Sequence, residues 1–241
     1  MKNTISSLST IFIIGFFVFC LLDSNTQVTI TEKIENLFSI KTRAITNFIT
    51  STDGGGTKTK TSTTHHSEEA KEYFNEIVFK TEFGGDLTTA FKWNKNMKIY
   101  VEGEKSPVLM EELSKVVGEL NDIINPIEIE IVQNSSQANM FIYFGSASGF
   151  VNAHPNINRS RLEDNYGFFM VNSNKGEMYV DIYRATEVDA QKHLLREELT
   201  QSLGLFNDSY KYPESIFYQE WTTTTEYAPI DRELIDMLYN E

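Results

Sequence analysis

Between residues 193 and 208 the chain reads HLLREELTQSLGLFND, and His193, Glu197 and Gln201 recur within it every four residues. On a helix that spacing stacks the three side chains one turn apart on one face. Glu198 adds a second carboxylate, and Gly204 permits a sharp turn that brings Asn207 and Asp208 back towards the helix end. An oxygen-rich set of this kind supports two chemistries. A carboxylate held on such a helix can act as a general base. Carboxylate and amide oxygens together suit calcium or magnesium better than zinc, which favours thiolate, imidazole and carboxylate ligands. His193 is the one imidazole on this helix. The competing reading is structural: the same groups satisfy backbone freed at Gly204, Asp208 caps the next segment of chain, and Arg196 pairs with a neighbouring acid.

The elements around this segment follow from periodicity. A helix is expected from about residue 67, with Ala70, Tyr73, Phe74, Ile77 and Val78 on one side. Residues 97–101 alternate as a strand that Gly103 ends, and Pro107 opens a helix carrying apolar residues to Ile124. Residues 127–131 alternate strictly, 140–144 read as a central strand, and a polar loop containing Pro155 comes next. Strands are expected at 166–171 and 177–183 around a turn at 172–176. The helix of residues 186–203 carries the chemistry and stops at Gly204. After an irregular stretch, 231–239 forms a last amphipathic helix.

Composition narrows the classes. The 241 residues carry 34 acidic and 21 basic side chains, a net charge of −13. That balance is wrong for non-specific nucleic-acid binding, which needs basic surface. The charge is uneven: residues 1–66 hold six basic and four acidic side chains, leaving 15 basic and 30 acidic for residues 67–241. One cysteine, Cys20, excludes an internal disulfide and any multi-cysteine metal site. Only His65, His66, His154 and His193 are available as imidazole ligands. No P-loop, dinucleotide-binding glycine motif or GxSxG elbow occurs.

Three regions result. Residues 1–27 are a signal peptide or N-terminal anchor, built on the apolar run from Ile11 to Leu22, which has signal-peptide length and falls short of a transmembrane helix. Cys20 within it is a candidate lipid-attachment site. Residues 28–66 combine a juxtamembrane amphipathic helix with a Thr/Ser/Gly linker that contains His65 and His66 as a solvated pair. Residues 67–241 are the folded domain. The protein is therefore expected outside the cytoplasm, in the cell envelope or secreted, with the membrane as a partner of its N-terminus.

The 193–208 segment resembles the active-site helix of zincin metallopeptidases, HExxHxxGxxH, in which histidines one turn apart bind zinc and a glutamate is general base. Aligned on Gly204, Glu198 takes the general-base position. Glu197 and Gln201 take the first two histidine positions and Asn207 the third, so the motif reads EExxQxxGxxN. Residues 215–218, Ser-Ile-Phe-Tyr, lie where matrixin-like zincins place their Met-turn, with Phe217 near the methionine slot. Residues 227–239 are similar to the matrixin C-terminal helix with its Leu-Tyr ending. The domain is also similar to a family of uncharacterised bacterial envelope proteins, many of them predicted lipoproteins, in which EELxQxLGLxND, SIF and a terminal LY recur.

The resemblance implies an α+β, zincin-like fold: a mixed sheet, an active-site-type helix and a C-terminal helix. It implies that strand 166–171 is an edge able to pair with an extended peptide or an envelope protein. With the zinc histidines replaced, the expected role is binding or accessory, without a cofactor. Two alternatives stand. One is an active divergent metallohydrolase with Glu198 as general base and a divalent metal (Zn, Ca or Mg) held by Glu197, Gln201, Asn207, Asp208 and His193. The other is a non-catalytic structural surface module.

Overall fold

The computed structural model describes residues 66–80 and 87–240. The expected signal or anchor with Cys20, the juxtamembrane helix and the linker as far as His65 lie outside the described residues. Helix α1 (Glu68–Phe79) is opened by Ser67, whose Oγ accepts from the Ala70 N–H at 3.1 Å, and by Glu68 and Glu69 in its first turn. Strand β1 (Met97–Gly103) buries Met97, Ile99 and Val101 at every second residue. It ends at Gly103, whose φ of 72° and closeness to the Phe144 carbonyl leave no room for a side chain. Pro107 occupies the first turn of α2 (Pro107–Ile123).

Strands β2 (Ile129–Ile131) and β3 (Met140–Gly145) follow, then helix α3 (Ala147–Ala153). Strands β4 (Gly167–Asn172) and β5 (Lys175–Asp181) form a hairpin. Helices α4 (Val188–Gln201) and α5 (Pro229–Asn240) complete the fold. The sheet order is β2-β1-β3-β5-β4, parallel throughout except for β4, which runs antiparallel to β5 at one edge. This is the mixed α+β architecture expected, with 140–144 central and 166–171 at the edge.

Helices α2 and α4 cover one face of the sheet, where Met178 and Val180 of β5 join Leu195, Leu199 and Leu113 in the core. On the opposite face α3 stacks Phe150 on Tyr179, ring centroids 5.2 Å apart. Gly204, at φ 126°, turns the chain out of α4 under the Phe91 carbonyl.

Four local expectations change. The stretch at 147–153, read as polar loop, is a helix, because the Ser146 side chain accepts from the Gly149 N–H (3.2 Å) and Phe150 is fully buried beneath it. Strand 127–131 shrinks to three residues, since β1 offers partners only to Ile129–Ile131. The turn at 172–176 tightens to Ser173-Asn174, with Ser173 at φ 56°, because Asn172 pairs with Lys175. His66, read as solvated, is 4% exposed, 3.4 Å from a Glu233 oxygen and 3.5 Å from one of Asp236 on α5.

Candidate functional site

Helix α4 carries the site because the sheet and α2 bury nearly all of it. Leu195 and Leu199 face the core, and Arg196, fully buried, reaches α2. Its guanidinium donates to Glu119 at 2.5 Å and to Glu112 at 2.9 Å and lies 4.5 Å from the centre of the Tyr227 ring. Arg196 therefore pairs with two acids, as the structural reading anticipated. Thr200 adds a second tie, its hydroxyl 2.6 Å from both the Arg196 carbonyl and the Tyr227 hydroxyl. The helix is thereby clamped, and the residues between these anchors point into a cleft of about 440 Å³.

His193, Glu197, Glu198 and Asp208 all line that cleft. His193 Nδ1 donates to the Thr224 carbonyl at 2.8 Å, and Nε2 lies 3.3 Å from a Glu197 oxygen and 3.4 Å from the Thr222 hydroxyl. Burial alone would lower the imidazole pKa. The Glu197 charge, its hydrogen bond and the Thr224 carbonyl outweigh burial and hold the proton above the ordinary histidine range. Glu198, 1% exposed, packs against the backbone of Gly167 at the start of β4. A Cβ on Gly167 would come within 2.8 Å of Glu198 Cγ, so the contact requires glycine.

The expected return of the chain after Gly204 happens for one residue of the pair. Gln201 Nε2 donates to Asp208 at 2.6 Å, joining helix end and loop. Asn207 turns the other way: its side chain donates to the Glu76 carbonyl at 3.1 Å and its N–H to the Ile77 carbonyl at 3.0 Å, capping α1. His154 pairs with Glu102 at 2.8 Å and is not among the residues lining the cleft.

These placements test the donors against zinc. The aligned positions hold a carboxylate engaged by an imidazole, an amide engaged by Asp208 and an amide committed to α1. Three such groups do not make a tetrahedral zinc site. No group of three or more His, Cys, Asp or Glu side chains among the described residues is arranged to hold a metal. The residues do not fit the zinc of the motif they align with.

Residues 215–218, the last of which lines the cleft, form a tight turn with Phe217 fully buried. Ser215 Oγ donates to Asp231 on α5 at 2.5 Å, and Asp231 also accepts from the N–H groups of Ile216 (3.2 Å) and Ala228 (2.9 Å). Burial pushes the Asp231 pKa up to about 6 even against these hydrogen bonds.

The rim comes from residues the motif could not reveal. Arg184 binds Asp181 at 2.5 Å and spans the carbonyls of Leu162, Glu163 and Asn165 at 2.6–2.8 Å. It also lies 4.6 Å from the Tyr166 ring centre, which fixes Tyr166 at the cleft mouth. Trp221 meets Tyr166 edge to face at 5.7 Å. Asp164 and Glu220 add further carboxylates. Asp164, Arg184, Glu220 and Trp221 lie in irregular segments outside α4's motif, and Tyr166, read as the first residue of the strand, sits just before it; Trp221 among threonines is the one local signal of the rim.

The edge strand completes the geometry. The Asp181 N–H donates to the Tyr166 carbonyl at 2.7 Å, and the register continues Phe168 with Tyr179. Alternation then directs the N–H and C=O groups of Gly167, Phe169 and Val171 away from β5. No strand among the described residues pairs with that side.

Comparison with known proteins gives three findings. Two solved structures of myroilysin are similar in arrangement. One has a TM-score of 0.42 at 10% identity over 64% of this chain and 87% of that chain. The other has a TM-score of 0.39 at 13% identity over 62% and 96%. The "Putative DNA ligase 205R" of Invertebrate iridescent virus 6 is 31% identical over 109 residues, which are 44% of this chain and 18% of that protein's length. Residues 67–241 match a family model, and the chain belongs to the family described as "Protein of unknown function (DUF2927)".

Proposed function

We propose that this chain is an exported, zincin-like protein whose degenerate metallopeptidase site works as a binding cleft for an extended peptide or an envelope protein. One observation carries the reading: the edge of β4, with which no other strand among the described residues pairs on that side, runs beside a cleft on α4, and the aligned ligand positions are committed to contacts within the protein. Backbone pairing along Gly167, Phe169 and Val171 needs no metal and no particular side chains in the partner. Asp208 and Glu197 serve here as positioning groups for Gln201 and His193. The apolar run from Ile11 to Leu22 supports export, and the acidic surface speaks against nucleic acid as partner. No helix among the described residues is long and apolar enough to cross a membrane.

Two measurements test the proposal. Elemental analysis of the purified chain is expected to find zinc far below stoichiometry; near one equivalent, lost on Glu197→Ala, would overturn it. Incubation with a peptide library is expected to yield binding without cleavage. The burial of Glu198 in the cleft wall keeps one rival in view, hydrolysis with that carboxylate as general base. Cleavage abolished by Glu198→Gln would establish the rival.

A further inference from the structure

The geometry points to a specificity for this cleft: we infer that it selects an extended peptide by a lysine or arginine side chain opposite Gly167, an inference that rests on the peptide-binding reading above. Directly opposed residues in a β pair place their side chains on the same face of the sheet. At Gly167 that face is the one against which Glu198 packs, and Gly167 supplies no side chain of its own there. A partner residue opposite Gly167 therefore directs its side chain to the cleft.

The lining of the cleft defines what that side chain must be. Five acidic residues, Asp164, Glu197, Glu198, Asp208 and Glu220, line it together with a single histidine, His193. At the end of α4, beside Asp208, the buried Gln201 Oε1 atom has no hydrogen-bond partner among the described residues. The site is thus rich in acceptors, and a guanidinium or ammonium brings donors only. The mouth has the complementary feature for a cationic stem: Tyr166 and Trp221, 37% and 60% exposed, offer aromatic rings over which such a chain can lie. The volume of about 440 Å³ accepts a long unbranched side chain. An acidic side chain would meet like charge, and an apolar one would desolvate the carboxylates without bringing a donor. The overall charge of −13 adds long-range attraction for a basic partner.

The test uses the full chain and short, extended, valine- and threonine-rich fluorescent peptides that differ only at the central residue: lysine, arginine, norleucine or glutamate. A further peptide carries its lysine at the end instead, with equal charge. Fluorescence anisotropy is expected to show the central-lysine and central-arginine peptides binding at least about tenfold tighter than the norleucine peptide, the difference expected of a charge-assisted contact. The terminal-lysine peptide is expected to behave like norleucine. Glu198→Gln should remove most of the preference. Glu220→Gln, at an exposed position, should weaken it several-fold. Equal affinity for lysine and norleucine peptides overturns the charge selection and leaves the peptide-binding reading standing. Failure of every peptide to bind overturns both.

Discussion

At the scale of single residues the site is governed by how burial and hydrogen bonds set protonation. His193 holds its proton more tightly than a free imidazole because Glu197 lies one turn along the same helix and the Thr224 carbonyl takes the other N–H. Its raised pKa makes it a stabilising group below the ordinary histidine value, and that stability is lost as pH rises through the folded value. Glu197→Gln is expected to lower the imidazole pKa, read from the NMR titration of its ring protons; an unchanged midpoint would show that Glu197 is not the controlling charge. Asp231 follows the same dependence, which is the reverse of the usual one for an acid. Its pKa rises from 3.8 unfolded to about 6 folded, so the native state binds the extra proton between those values. Stability from Asp231 is full below about pH 4 and fades as pH rises through 6, by about 3 kcal/mol at most. Asp231→Asn, whose amide oxygen still accepts from Ile216 and Ala228, is expected to remove that slope. Urea denaturation of both proteins at pH 4 and pH 7 measures it, and parallel pH profiles would refute the assignment.

At the scale of elements, α4 is positioned by polar clamps as much as by apolar packing. Arg196 is fully buried between α4 and α2, with Glu112 at 4% exposure and Glu119 alongside. Removing the cation leaves Glu112 only the more distant Lys192 at 3.8 Å and Glu119 only Arg232 at 3.7 Å in a largely buried seam. Arg196→Leu is therefore expected to cost roughly 3–5 kcal/mol in urea denaturation. A loss below about 1 kcal/mol would mean that the acids escape to solvent or become protonated. The hairpin is held by a second clamp, Arg184, which ties β5 to the carbonyls of the loop before β4. The periodicity of 97–101, 140–144 and 186–203 foretold these elements within a few residues, since a buried face imposes its period on the chain. Helix α3 escaped because it is short and its one strong signal, the Ser146 cap, lies among other small polar residues.

At the scale of the whole molecule, the acidic excess falls on the family-matched residues and the apolar run precedes them. Under the export reading, alkaline phosphatase fused after residue 66 is expected to be active in bacterial cells. Activity lost on deleting residues 11–22 would support the assignment, and an inactive fusion would sink it. The sequence alone determined the order of strands and helices, the helix with glutamates at 197 and 198, the glycine that ends it, and the absence of three zinc histidines at the aligned positions. Those features rest on residue type and local period, which the chain carries in itself. Only the tertiary structure decided that Asn207 caps α1 while Asp208 holds Gln201, that Gly167 makes room for Glu198, and that Tyr166 and Trp221 frame the cleft. The sequence could not show these, because each joins irregular segments or separate elements whose side chains meet only once the sheet and α4 are packed.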